Sequence, residues 1–163
     1  MSIKAGAFAT VAMLSLAPAA PVLAHPASTN TITSVIPITT FPSAAPFVET
    51  YTGTFSSSTG GSGTEAVRTR FGAVRSPRVG VLQTLRTLTS SDGQSMLVLR
   101  CHQLATAQDF STLPNVPDNG SCAVLSGNGA YAALSGSGAL NGAVLFDPSG
   151  TSGTLTDTVS FGG

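Results

Sequence analysis

The sequence predicts an all-β fold, an antiparallel closed barrel. Three observations carry that prediction. Most of the 163-residue chain is a succession of short β-prone runs separated by Gly, Ser, Asn and Asp. After the first two dozen residues no segment sustains a helical period. The clearest hairpin is partly apolar on both faces. A sheet with one wet face alternates more cleanly, whereas a cylinder filled with side chains and covered outside by a partner or layer gives this pattern.

The elements justify this in order. Residues 1–24 have the organisation of a secretory signal. Lys4 supplies the positive end, Ala5 to Leu16 the apolar run, and Val22-Leu23-Ala24 the small residues a signal peptidase reads. The apolar run is shorter than the roughly 20 residues a membrane span needs, and Pro18 and Pro21 follow it. A secreted, extracellular protein with no membrane partner after signal removal is expected. Residues 25–45 are rich in Pro and Thr and read as an extended leader, with a short edge strand at Thr31–Ile36. The barrel domain is then expected over residues 46–163.

Phe47 to Phe55 is the first full strand. Phe47, Glu49, Tyr51, Gly53 and Phe55 share one face. Ser56 to Gly63 connects it to Thr64–Phe71, where Glu65, Val67, Thr69 and Phe71 face one way and Arg68 and Arg70 the other. Val79–Ser90 and Gln94–Leu104 form the hairpin around Asp92-Gly93. A turn there sets Leu85 opposite Arg100 and Gln83 opposite His102. One hairpin face collects Val81, Gln83, Leu85, Thr87, Met96, Val98, Arg100 and His102; the other collects Leu82, Thr84, Arg86, Leu88, Leu97, Leu99 and Cys101. Alternation alone leaves either face inward. Ala105 to Gly120 reads as an irregular loop. Ser121–Ser126, Gly138–Phe146 and Gly153–Phe161 read as the last strands, with the turn Asp147-Pro148-Ser149-Gly150 between the final two.

The chain has two cysteines, Cys101 and Cys122. In an oxidising compartment one disulfide is the simplest outcome, stabilising the fold by about 3 kcal/mol for a loop of this size; two buried thiols are the alternative. Neither spacing nor neighbours suit a metal. Only 9% of residues are charged, the formal net charge is zero, and the linear sequence has no basic run, so no nucleic-acid partner is expected. Gly127, Gly129 and Ala132 match a dinucleotide pattern by letter, but further glycines replace the helix that pattern requires. His102 stands without a nucleophile elbow, which argues against a serine hydrolase.

The glycine stretch from Gly127 to Leu140, G-N-G-A-Y-A-A-L-S-G-S-G-A-L, resembles the G-x-G-x-Y-x-x-L-x-G-x-G segment of secreted barrels of the allene oxide cyclase and dirigent type. Tyr51-Thr52-Gly53-Thr54-Phe55 and the Asp92-Gly93 hairpin follow in the same order. The resemblance spans about Phe47 to Phe161. It implies eight antiparallel strands, an apolar lumen that binds a small apolar ligand, a homotrimer, and no cofactor. Such proteins steer cyclisation or coupling by confining reactive intermediates. Cys122 departs from the aromatic residue often found there. No catalytic residue carries over with a matched motif. Locally, the glycines would permit positive φ, Tyr131 would pack over the turn, and Gly136 and Gly138 would allow a bend or bulge.

Two readings follow. In one, a lumen of at least about 300 Å³ holds an apolar molecule, with Glu49, Tyr51, Glu65, Arg100 and His102 as its polar groups. In the other, the core is filled and the protein is a non-catalytic structural or interaction module. An Ig-like sandwich fits less well, because the cysteines lie too close together and there is no Trp.

Overall fold

The structure, a computed structural model, describes residues 29–40, 46–72, 79–106 and 114–162. The expected signal segment and residues 107–113 of the expected loop lie outside these. Nine strands form one sheet: β1 (Asn30–Ile38), β2 (Phe47–Ser57), β3 (Gly61–Phe71), β4 (Val79–Ser90), β5 (Met96–Thr106), β6 (Asn115–Pro117), β7 (Gly120–Gly127), β8 (Ser137–Phe146) and β9 (Gly153–Phe161). All pairings are antiparallel. β1, β2, β3, β4, β5, β7, β8 and β9 follow one another round a ring that the β9–β1 ladder closes, giving an eight-stranded barrel. The short β6 pairs with the C-terminal part of β8, beyond the part that β7 covers.

The expected leader is corrected over Asn30–Ile38. Asn30–Ile38 is not an edge strand ahead of the domain. It pairs with β2 on one side and with β9 along its whole length on the other. The reason is a period-2 set: Ile32, Ser34, Ile36 and Ile38 are all buried in the barrel. The ladder to β2 stops at Val35, ahead of Pro37, whose missing N–H cannot extend it.

Elsewhere the inside–outside alternation is as the sequence indicates. On β2, Tyr51, Gly53 and Phe55 are buried; on β3, Glu65, Val67, Thr69 and Phe71 are. The hairpin register pairs Leu85 with Arg100 and Gln83 with His102, and Gly93 takes φ +70° in its turn. Its inward face is the one carrying Thr84, Arg86, Leu88, Leu97, Leu99 and Cys101.

The glycine stretch seals one end. Gly129 (φ +55°) and Gly136 (φ +82°) bracket a single 3₁₀ turn, Gly129–Tyr131, that carries the Tyr131 ring into the barrel mouth. There Tyr131 is fully buried against Ile32, Phe55, Leu88, Leu140 and Phe161. A Cβ at Gly60 would lie 2.2 Å from the ring, so only glycine lets that turn close over it. The bulge lies not at Gly136 or Gly138 but between β5 and β7, where the register slips by one residue after Val98 and Leu125 is left over.

Cys101 and Cys122 form a disulfide directly across the β5–β7 ladder, with no exposed surface on either. Among the described residues no helix is long and apolar enough to cross a membrane.

Candidate functional site

The interior divides into three levels. The sealed end is apolar and solid, packed by the Tyr131 cluster with the disulfide in its wall. The opposite end is lined by a second apolar set, Ile36, Ile38, Tyr51 and Val67, with Val144 and Leu155 against it. Between them lies a charged layer.

That layer is built by alternation on three strands. Arg86 points inward from β4 between Thr84 and Leu88, and is 2% exposed. Its Nε donates to Glu65 Oε1 on β3. Its Nη1 and Nη2 both donate to Asp157 Oδ1 on β9 at 3.0 Å. Beyond Arg86, Gln103 Nε2 donates a long 3.4 Å hydrogen bond to Asp118 Oδ2. Two carboxylates therefore hold one guanidinium, and the charge of Arg86 also reaches a third, Asp118. Burial alone would lower the Arg86 pKa, but Glu65 and Asp157 outweigh it and hold the guanidinium above its ordinary value. Burial raises Asp157 to about 6 against the pull of Arg86, and Asp118 and Glu65 push the same way as burial. Burial likewise raises Asp118, against Gln103 and Arg86.

Above this layer a cavity of about 60 Å³ opens toward the unsealed end. Its walls are Ile36, Ile38, Phe47, Tyr51, Val67, Leu82, Val144 and Leu155, and its floor is Thr84, Arg86, Gln103 and Asp118. Thr84 Oγ1 and Gln103 Oε1 are buried there without a hydrogen-bond partner among the described residues. Among the described residues the lumen cavity is therefore smaller than the 300 Å³ expected. An eight-stranded ring leaves an interior that side chains can nearly fill, and here a charged layer spans it.

The expected lumen residues separate. Tyr51 lines the cavity and donates its Oη to Thr40 O at 2.8 Å. Burial, then the Glu49 carboxylate, raise its phenol pKa. Glu49 itself is half-buried on the same inward face of β2, outside the cavity lining. Glu65 is 1% exposed and is not a strand-end carboxylate reaching water. Arg100 and His102 are exposed on the outside of β5 and do not reach the lumen; the hairpin turns its other face inward because Leu97, Leu99 and Cys101 bury more apolar surface there.

Arg86, Asp118 and Asp157 were not singled out by the sequence reading. A signal exists for two of them. Asp157 alternates with Leu155, Val159 and Phe161, and Arg86 with Leu82 and Leu88, so each is a charge set in an apolar period-2 row. Asp118 lies in a turn sequence, Asp118-Asn119-Gly120, between β6 and β7, where its N–H donates to Gly142 O, a placement that alternation does not reveal. Comparison with family models, with curated proteins and with solved structures gives no match.

Proposed function

We propose that the protein is a secreted binding barrel of the allene oxide cyclase and dirigent type. It takes the end of a slender apolar ligand into the open half of its lumen. The observation that carries this is the composition of the cavity: apolar walls converge on a floor of Thr84, Arg86, Gln103 and Asp118, where Thr84 Oγ1 and Gln103 Oε1 lack partners among the described residues. Such a floor favours a ligand end that can hydrogen-bond, because a buried polar atom left unpaired costs about 1–3 kcal/mol. At about 60 Å³ the cavity has room for roughly four waters, or for a chain end of a few carbons. It does not enclose a whole substrate, so the reading is of a binder rather than of a catalyst that confines an intermediate. The disulfide accords with an oxidising, extracellular setting.

The test is a methyl-labelled NMR titration with short-chain alcohols. Shifts confined to Ile36, Ile38, Val67, Val144 and Leu155 support the reading. Absence of shifts at millimolar concentrations overturns it and leaves the filled-core structural module. That second reading is favoured by one observation of its own, the cluster of buried side chains around Tyr131 in the sealed half of the lumen.

A further inference from the structure

The outer surface of the barrel carries a cationic face that the linear sequence does not display. Strand register assembles it. Across the sheet, Arg68 on β3 is opposite Leu85 on β4, and Leu85 is opposite Arg100 on β5. In the next outward row, Arg70 is opposite Gln83, and Gln83 is opposite His102. All six side chains are exposed. With strands about 4.8 Å apart, Arg68 and Arg100 flank Leu85 at roughly 10 Å from each other. Arg68, Arg70, Gln83, Leu85 and Arg100, with Val48 from β2, line an open groove of about 250 Å³.

No ion pair among the described residues involves these three arginines; the only arginine so engaged is Arg86. The described carboxylates lie elsewhere. Glu65, Asp118 and Asp157 are buried, Glu49 is on the inward face of β2, and Asp92 and Asp147 are in turns. A chain with zero net charge thus presents, on one concave surface, three guanidinium groups that have no ion-pair partner among the described residues.

We propose that this groove binds a linear polyanionic polysaccharide, one carrying carboxylate or sulfate groups along its length. The arginine fork matches both groups with paired N–H donors. Gln83 and His102 add hydrogen-bonding groups suited to sugar hydroxyls. The outward residues of β3, β4 and β5 include no Phe, Tyr or Trp, so the face lacks the stacking platforms that hold single-stranded nucleic acid. Its apolar members Leu85 and Val48 line the groove beside the arginines rather than a protruding tip, which disfavours insertion into a lipid surface. The proposal is independent of the lumen.

The test is binding of the disulfide-bonded protein to immobilised heparin and polygalacturonate, with neutral dextran as control. Wild type is expected to bind at least one polyanion at about 50 mM salt, to ignore dextran, and to weaken steeply as salt rises. The triple variant Arg68→Gln/Arg70→Gln/Arg100→Gln is expected to lose at least tenfold. Its salt slope should fall by about one for each arginine contact removed. Its thermal melting should match wild type, since the three side chains face solvent. Failure of wild type to bind either polymer overturns the proposal, as does unchanged binding by the triple variant. Tighter binding to phosphatidylserine vesicles or to a single-stranded oligonucleotide than to either polymer also overturns it.

Discussion

Arg86 and Asp157 stand on strands directly opposite each other in the ring, yet their side chains meet at 3.0 Å. From β4 the path to β9 runs through β5, β7 and β8 one way and through β3, β2 and β1 the other. The guanidinium is therefore a strut across the barrel's diameter. It separates the apolar sealed end from the open cavity and forms part of the cavity floor.

Removing the strut leaves Glu65 and Asp157 buried without a counter-charge. Arg86→Ala is expected to destabilise the fold by about 3–5 kcal/mol. Replacing the triad with apolar side chains (Arg86→Met, Glu65→Leu and Asp157→Leu together) should recover most of that loss. Urea unfolding of the variants measures both; a loss below about 1 kcal/mol for Arg86→Ala would contradict the strut.

Stability should fall as pH rises through the mildly acidic range. Asp157 is raised from 3.8 to about 6 in the folded state. Between those values the native protein binds more protons than the unfolded chain, so each step up in pH favours unfolding. A shift of this size corresponds to about 3 kcal/mol, gained below pH 4 and lost by pH 6 to 7. Asp118, also raised, acts with the same sign. The turn residue Asp147, lowered from 3.8 to about 2 by hydrogen bonds from Ser152 and Ser149, acts oppositely, and only between those values, below the range of this decline. Thermal melts from pH 4 to 7 should show the decline, and Asp157→Asn should flatten it.

Tyr131 is fully buried and its hydroxyl has no partner among the described residues. Tyr131→Phe is therefore expected to be neutral or to stabilise by up to about 1 kcal/mol. Tyr131→Ala, which empties the sealed mouth, should cost about 3–5 kcal/mol. A Phe variant that melts well below wild type would mean the hydroxyl has a partner.

The Cys101–Cys122 bond joins neighbouring strands and is wholly buried. Cys101→Ala/Cys122→Ala should lower stability by about 3 kcal/mol, measured by denaturant unfolding. In the native protein, added reductant should act no faster than the barrel opens, since neither sulfur is exposed.

Much of the cylinder was legible because inward side chains recur every second residue. Tyr51 with Phe55, Val67 with Phe71, and the pairing of Leu85 with Arg100 all follow from alternation and one turn. β1 was misplaced because Pro37 suggested an edge, while the set Ile32, Ile36 and Ile38 carried the stronger signal. The lumen residues were half legible. Alternation places Glu65 inside, but only packing decides which hairpin face turns inward, and it chose Arg86 over Arg100 and His102. The outer arginine rows need the register of three strands at once, which no linear run of residues displays.

The β1–β9 ladder joins Asn30 to Phe161, so the ring is completed by strands far apart in sequence. Until Phe161 has been made, β1 and β8 each present a raw margin of unpaired peptide groups. Assembly must therefore wait for β9, and it should be slow and cooperative, as long-range sheet pairings are. A chain cut short before β9 would be a split tube, prone to stick to its own kind rather than a smaller working version of the protein.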